Sequence, residues 1–212
     1  MIYNFPRKKR KQITNYLTFS SLNPFSIRVA TPGWDGKLYY STDTKTWAEW
    51  TGNEVNATEA DGIYALYFRG TENTKITGGF SNEWTLSGSS ISCTGNIESL
   101  LDYETVAAGQ HSAMAGYCYS SMFRGCTSLT TAPSLPATTL ATRCYFSMFN
   151  GCTSIKLAIS KSREYDKEYR IPKSGNGVTA TRALDNMFMQ TGGTFTGTPS
   201  INTTYYTSNT IV

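Results

Sequence analysis

Five cysteines, a single histidine and a few carboxylates are the residues of this 212-residue chain equipped to act as nucleophile, metal ligand or proton carrier. Cys118, Cys126, Cys144 and Cys152 form two Cys-x7-Cys pairs, and Cys93 stands apart. Structural zinc sites take their ligands from short Cys-x2–4-Cys knuckles, often completed by histidine. Neither the seven-residue gap nor the remote His111 makes that pattern. An odd count at repeat spacing also argues against a disulfide framework. Cysteine otherwise behaves as a small buried hydrophobe. The spacing therefore predicts reduced thiols stacked in an interior, with no metal and no cofactor.

His111 sits in Ala-Gly-Gln-His-Ser-Ala-Met, a polar stretch whose imidazole has the chemistry of a general base. No Gly-x-Ser-x-Gly elbow or other nucleophile signature accompanies it. Glu98, Asp102 and Glu104 lie close together in sequence. Glycoside hydrolysis needs two carboxylates about 5 to 10 Å apart across a sugar cleft, and without a visible cleft these three read as a solvated helix end. Ser41-Thr-Asp-Thr-Lys-Thr-Trp47 is similar to the Asp-box hairpin of sialidase-type propellers, one residue short and without its glycine. There the Asp and Ser tie a turn while the Trp packs beneath, which is a structural role. No catalytic residue is assigned, and the expectation is a protein that is not an enzyme.

Charge is sparse, at 16% of residues with a net charge of +4. Much of the excess lies in Arg7, Lys8, Lys9, Arg10 and Lys11, the sole candidate contact for nucleic acid, which otherwise reads as a solvated arm over residues 1–12. The following stretch alternates instead of running apolar, so no standard secretion signal is expected. No apolar run reaches the roughly 18 residues of a membrane span.

The elements that must position these residues fall into two parts. Over residues 13–78, short runs rich in aromatic and β-branched residues (Tyr16–Phe19, Phe25–Val29, Lys37–Tyr40, Thr46–Trp50, Gly62–Phe68) alternate with Gly, Pro, Asn and Asp turns. Such spacing predicts a small antiparallel β-sandwich. Over residues 79–212 a repeat takes over: Tyr117–Leu129 and Arg143–Ile155 share nine of thirteen positions at an offset of 26, and Arg182–Phe188 is a degenerate third copy. A fixed period of this size predicts a solenoid. Cys118 and Met122, four apart, place Cys118, Met122, Phe123 and Cys126 with Cys144, Met148, Phe149 and Cys152 in its core, on short helices ended by Gly125 and Gly151. Residues 84–101 would cap its start. The surplus before the third copy, about residues 157–170, is dominated by Lys161–Arg170, where seven of ten residues are charged. Insertions between repeats map to a surface loop or hairpin, often on the binding face. Arg163, Tyr165, Tyr169 and Arg170, of types common at interface hot spots, are the candidate partner-binding residues.

The pattern Cys-Tyr-x-x-Met-Phe-x-Gly-Cys-Thr-Ser-Leu-Thr-x-Ala-Pro-x-Leu-Pro-Ala-Thr-Thr-Leu, from Cys118 to Leu140, resembles the BspA-like class of leucine-rich repeats. The preceding stretch, with Tyr16-Leu-Thr-Phe, Tyr39-Tyr-Ser-Thr-Asp, Trp47 and Tyr67-Phe-Arg-Gly70, looks like the β-sandwich module that precedes such repeats in gut bacterial and bacteriophage proteins. The expected fold is thus mainly β with short helices: a small antiparallel β-sandwich followed by a short leucine-rich-repeat-like solenoid. The resemblance implies a non-enzymatic binding protein. The first expectation is a bacteriophage virion component (tail, fibre or head decoration) whose partner is a host protein, a surface glycan or another virion protein. An intracellular phage inhibitor of a host defence factor, acting in the host cytoplasm, and a bacterial cell-surface adhesin are the alternatives.

Overall fold

The structure is a computed structural model that describes residues 16–79 and 81–208. The basic run Arg7–Lys11 lies outside the described residues, as does the start of the expected sandwich. The fold is mainly β with one short helix.

In chain order the strands are β1 (Leu17–Ser21), β2 (Ser26–Val29), β3 (Lys37–Ser41), β4 (Ala48–Trp50), β5 (Val55–Asn56), β6 (Thr58–Ala60), β7 (Ile63–Thr71), β8 (Trp84–Ser87) and β9 (Ile91–Thr94). A 3-10 turn (Ile97–Leu100) and the helix α1 (Tyr103–Ala107) follow. The chain then continues through β10 (Leu129–Thr131), β11 (Lys156–Ala158), β12 (Tyr165–Arg170), β13 (Gly192–Gly193) and β14 (Thr204–Ser208). A seven-stranded sheet runs β10-β9-β1-β7-β3-β4 with β6 added to β7, a three-stranded sheet runs β5-β2-β8, and a four-stranded sheet runs β12-β14-β11-β13. Hydrogen bonding crosses residue 78: β8 pairs with β2, β9 with β1, and β10 lies parallel to β9.

Strand alternation explains the first half. In β1, Leu17, Phe19 and Ser21 are buried while Thr18 and Ser20 face outward. Phe19, Trp50 and Phe68 of the large sheet meet Trp84 of the small one, with Phe68 and Trp84 centroids 5.2 Å apart. Gly70 is obligatory in β7, because a Cβ there would stand 1.7 Å from the Leu100 carbonyl oxygen.

The repeat copies are not helical. Ser120, Met122 and Arg124 each donate to the carbonyl three residues back, as consecutive tight turns do, whereas an α-helix requires four. The intervening amides leave the copy: Tyr119, Ser121, Phe123 and Gly125 donate to Cys144, Phe146, Met148 and Asn150 at 2.8–2.9 Å. The second copy repeats this on the third, with Tyr145, Ser147, Phe149 and Gly151 donating to Ala183, Asp185, Met187 and Met189 at 2.9–3.0 Å. Every fourth residue adopts left-handed φ to turn its neighbour's amide outward: Tyr117, Ser121 and Gly125, then Arg143, Ser147 and Gly151, then Arg182, Asn186 and Gln190. The glycines at 125 and 151 hold the expected positive φ, but as the third member of a series instead of a helix end.

Side chains stack along the same direction. Phe123, Phe149 and Phe188 lie nearly parallel, with centroids 5.7 and 5.3 Å apart, and Tyr119 lies over Tyr145 at 5.6 Å. Phe123 also meets Phe19 and Trp84, so a single aromatic core runs from the sheets through all three copies. The first copy is capped by Ile76, Thr77 and Trp84, whose amides reach the Cys118 and Met122 carbonyls, and the third by Gly197 and Thr198. Residues 84–101, expected to cap the copies, both extend the sheets and flank the first copy, with β9 parallel to β10 and the Trp84, Ile91 and Ile97 amides on the Met122, Ser128 and Ser134 carbonyls.

Residues 161–170 depart from the expected surface loop or hairpin, since their strand pairs with one near the C-terminal end of the described residues. Tyr165–Arg170 is β12, paired with β14. Tyr165 is buried, and the Tyr169 ring packs edge-on against Phe188 while its hydroxyl donates to the Pro133 carbonyl. The charges obscured two apolar anchors four residues apart. Asp166, Lys167 and Glu168 are exposed on what is an edge strand, where charge discourages pairing with another chain.

Phe149→Ala removes the ring between Phe123 and Phe188 and should cost about 3–5 kcal/mol in urea unfolding. Phe146→Ala, at a half-exposed site under the Arg182 guanidinium, should cost less than half as much. Equal losses from both would show that the stacked rings are not the core of the copies.

Candidate functional site

The thiols belong to the interior. All five cysteines are free and buried. Burial pushes the Cys126 and Cys144 thiols up to about 12, and holds those of Cys93, Cys118 and Cys152 well above the ordinary value. The Cys126 Sγ donates to the Trp84 carbonyl at 3.1 Å, and Cys152 Sγ to the Phe123 carbonyl at 2.9 Å. Protonated thiols of this kind make poor nucleophiles and poor metal ligands. Among the described residues no three His, Cys, Asp or Glu side chains converge on a point that would hold a metal ion.

The Asp-box-like turn is built as its residue types demand. Asp43 Oδ1 accepts from the Lys45 and Thr46 amides at 2.8 Å, and Ser41 Oγ accepts from the Thr44 amide at 2.9 Å. The Thr46 amide, then that of Lys45, holds the Asp43 carboxyl below its ordinary value. Trp47 folds back with its indole N–H toward the Thr44 carbonyl. Its ring receives the Arg69 guanidinium at 4.1 Å, and the same guanidinium lies 4.2 Å from the centre of the Tyr103 ring. Tyr16 continues the array, 5.6 Å from Trp47 and 5.4 Å from Tyr67. All five side chains are half-buried, which makes a partly exposed aromatic strip on the outer face of the large sheet.

The four candidate partner-binding residues do not form one surface. Arg163 is exposed, whereas Tyr165 and Tyr169 are used in packing. Arg170 donates to the Pro172 and Gly175 carbonyls and to Asn202 Oδ1, closing the loop that follows β12.

What the structure does bring together is Glu98 and His111. Asn96 caps the 3-10 turn, its Oδ1 accepting from the Glu98 amide, and Asp102 caps α1 by accepting from the Thr105 amide. Capping spends the Asp102 carboxylate, which also accepts from the Glu72 amide, and Glu104 stays exposed. Glu98 faces inward, with its side chain only 1% exposed. The loop after α1 returns over it and sets His111 Nδ1 2.8 Å from Glu98 Oε2, leaving the imidazole about half exposed. Glu98 Oε1 and the Tyr145 hydroxyl are buried with no partner among the described residues. Burial raises the Glu98 carboxyl above its ordinary value, against the opposing pull of His111.

The pair lines a cleft of about 360 Å³. Ser112, Thr138 and Thr139 add hydroxyls to its wall, and Met114, Leu140 and Ala141 add apolar surface. The contact with Glu98 engages Nδ1 and orients the ring, which leaves Nε2 as the imidazole nitrogen not held by the carboxylate. Among the described residues Glu98 is the only acid lining the cleft, and they assemble no carboxylate pair of the glycosidase kind there. Glu98 and His111 stand thirteen positions apart with α1 and an irregular loop between them, and no sequence periodicity could have paired them. No helix among the described residues is long and apolar enough to cross a membrane.

Two outcomes follow. An aromatic disulfide reagent should leave the native protein unmodified over the minutes in which the urea-denatured chain titrates all five thiols. Rapid native labelling of even one would contradict their burial. Glu98 has a folded value raised above 4.5, so its contribution to stability is present below 4.5 and is lost as pH climbs through the raised value. Glu98→Gln does not titrate, and its stability relative to the parent should therefore rise over that climb. A pH-independent difference between the two unfolding curves would refute this.

No protein-family model matches the chain, and no curated protein or solved structure matches it either, so the reading of the site rests on its own geometry.

Proposed function

We propose that this is a non-enzymatic binding protein, a virion-associated component of a bacteriophage of the tail, fibre or head-decoration kind. In this reading a BspA-like leucine-rich-repeat solenoid of three copies and the β-sandwich before it attach the particle to a host surface, or hold it to other virion proteins. The observation that carries it is the ladder of amides between copies, which spaces identical side chains regularly and fixes a surface without a moving part. A rigid surface loses little conformational entropy on binding. The half-exposed strip of Tyr16, Trp47, Tyr67, Arg69 and Tyr103 adds residue types suited to a contact patch.

A second reading, an intracellular phage protein that inhibits a host defence factor by direct contact, is favoured by the exposed charges of β12. Mass spectrometry of purified phage particles separates the two. The chain should be found in particles at a fixed ratio to known structural proteins. Its confinement to the infected-cell lysate would overturn the virion reading in favour of the inhibitor.

A further inference from the structure

We propose that the cleft beside His111 binds one small neutral polyol, of the size of a single sugar ring. The cleft is of a volume that falls at the lower end of the range for small-molecule sites. Its ionisable lining is limited to Glu98 and His111, and the carboxylate is covered by the imidazole. A ligand therefore meets the imidazole and the Ser and Thr hydroxyls first, and among the described residues no Lys or Arg lines the cleft to hold a phosphate, which favours hydroxyl groups.

The polar groups are of the right kind. His111 Nε2, turned away from the nitrogen that meets Glu98, accepts from or donates to a ligand hydroxyl according to its tautomer, and a hydroxyl can answer either. The Thr138 and Thr139 hydroxyls have no side-chain partner among the described residues and can each donate and accept. Met114, Leu140 and Ala141 supply the apolar side against which the C–H face of a ring would lie. Both walls are held firmly, one by the 3-10 turn and the other by the Leu140 amide bonded to the Val178 carbonyl. The proposal goes beyond the virion reading and does not depend on it.

His111 is the only histidine, so its imidazole resonances report on the cleft without ambiguity. ¹⁵N-labelled protein would be titrated with methyl α-D-glucopyranoside, methyl β-D-galactopyranoside and methyl N-acetyl-β-D-glucosaminide. Concentrations would reach about 100 mM, above the millimolar Kd that a ligand this small attains. At least one should shift the imidazole signals saturably, together with the amides of residues 137–141. Thr139→Val, an exposed change, should weaken that binding about five-fold, the effect of one lost hydrogen bond, while leaving the free protein's imidazole signals in place. Tighter binding of a trisaccharide ending in the same ring would mark a glycan end as the source, and weaker binding would mark a free sugar. The absence of a saturable shift with all three glycosides, or a shift that Thr139→Val leaves unchanged, would overturn the proposal.

Discussion

The outward-turned amide is the constraint on which the second half of this molecule depends. A stretch such as Tyr117–Cys126 satisfies only alternate N–H groups internally, and the others must find carbonyls elsewhere. A second copy placed alongside supplies them. That geometry requires a left-handed residue at every fourth position, at a cost of roughly 1–2 kcal/mol wherever the residue carries a Cβ. Tyr117, Ser121, Arg143, Ser147, Arg182, Asn186 and Gln190 all bear it. The strain is tolerable because bonds to the adjacent copy and the stacked Phe and Tyr rings form together. An isolated copy would have the strain without the partner.

The period of 26, the buried thiols and the core positions Met122, Phe123, Met148 and Phe149 were legible in sequence, because identical residues recurring at a fixed interval must occupy equivalent places. The local conformation was not. Cys118 and Met122 lie on one side at a spacing of four, and an α-helix and a run of turns with a left-handed residue every fourth position both produce that spacing. Only the direction of the amides distinguishes them. Strands β1, β2, β3, β4 and β7 fall within a few residues of their expected places, since alternating aromatic and β-branched residues have few other solutions. The pairing of β8 and β9 with strands some sixty to seventy residues earlier was invisible, because partner choice is tertiary.

The candidate sites divide in the same way. The Asp43 turn is local, and its hydrogen bonds follow from residue types within seven positions. The Glu98–His111 cleft is made by a loop doubling back, and the carboxylate it covers keeps one buried oxygen without a partner among the described residues. The charged stretch misled for a related reason. Charge density is visible in a sequence, whereas the two tyrosines that anchor β12 acquire meaning only opposite Phe188 and Pro133.

The ladder is also directional: through the turns each copy gives its amides to the next, and bonds in the other direction lie outside the turns, as from Gly192 to the Ile155 carbonyl and from Thr194 and Phe195 to that of Leu157. An interior rung is therefore complete whatever the total, and the number of rungs is decided at the two ends, by Ile76, Thr77 and Trp84 on one side and Gly197 and Thr198 on the other. Duplication of a 26-residue unit in the gene would insert a rung that both neighbours accept without repacking either terminus. The span from Met122 to Met148 is 26 residues and that from Met148 to Met187 is 39, yet the aromatic rings keep nearly the same separation. Loop length can thus drift freely while the rungs hold their pitch, so a lineage carrying this architecture could change its reach and its surface by separate genetic routes.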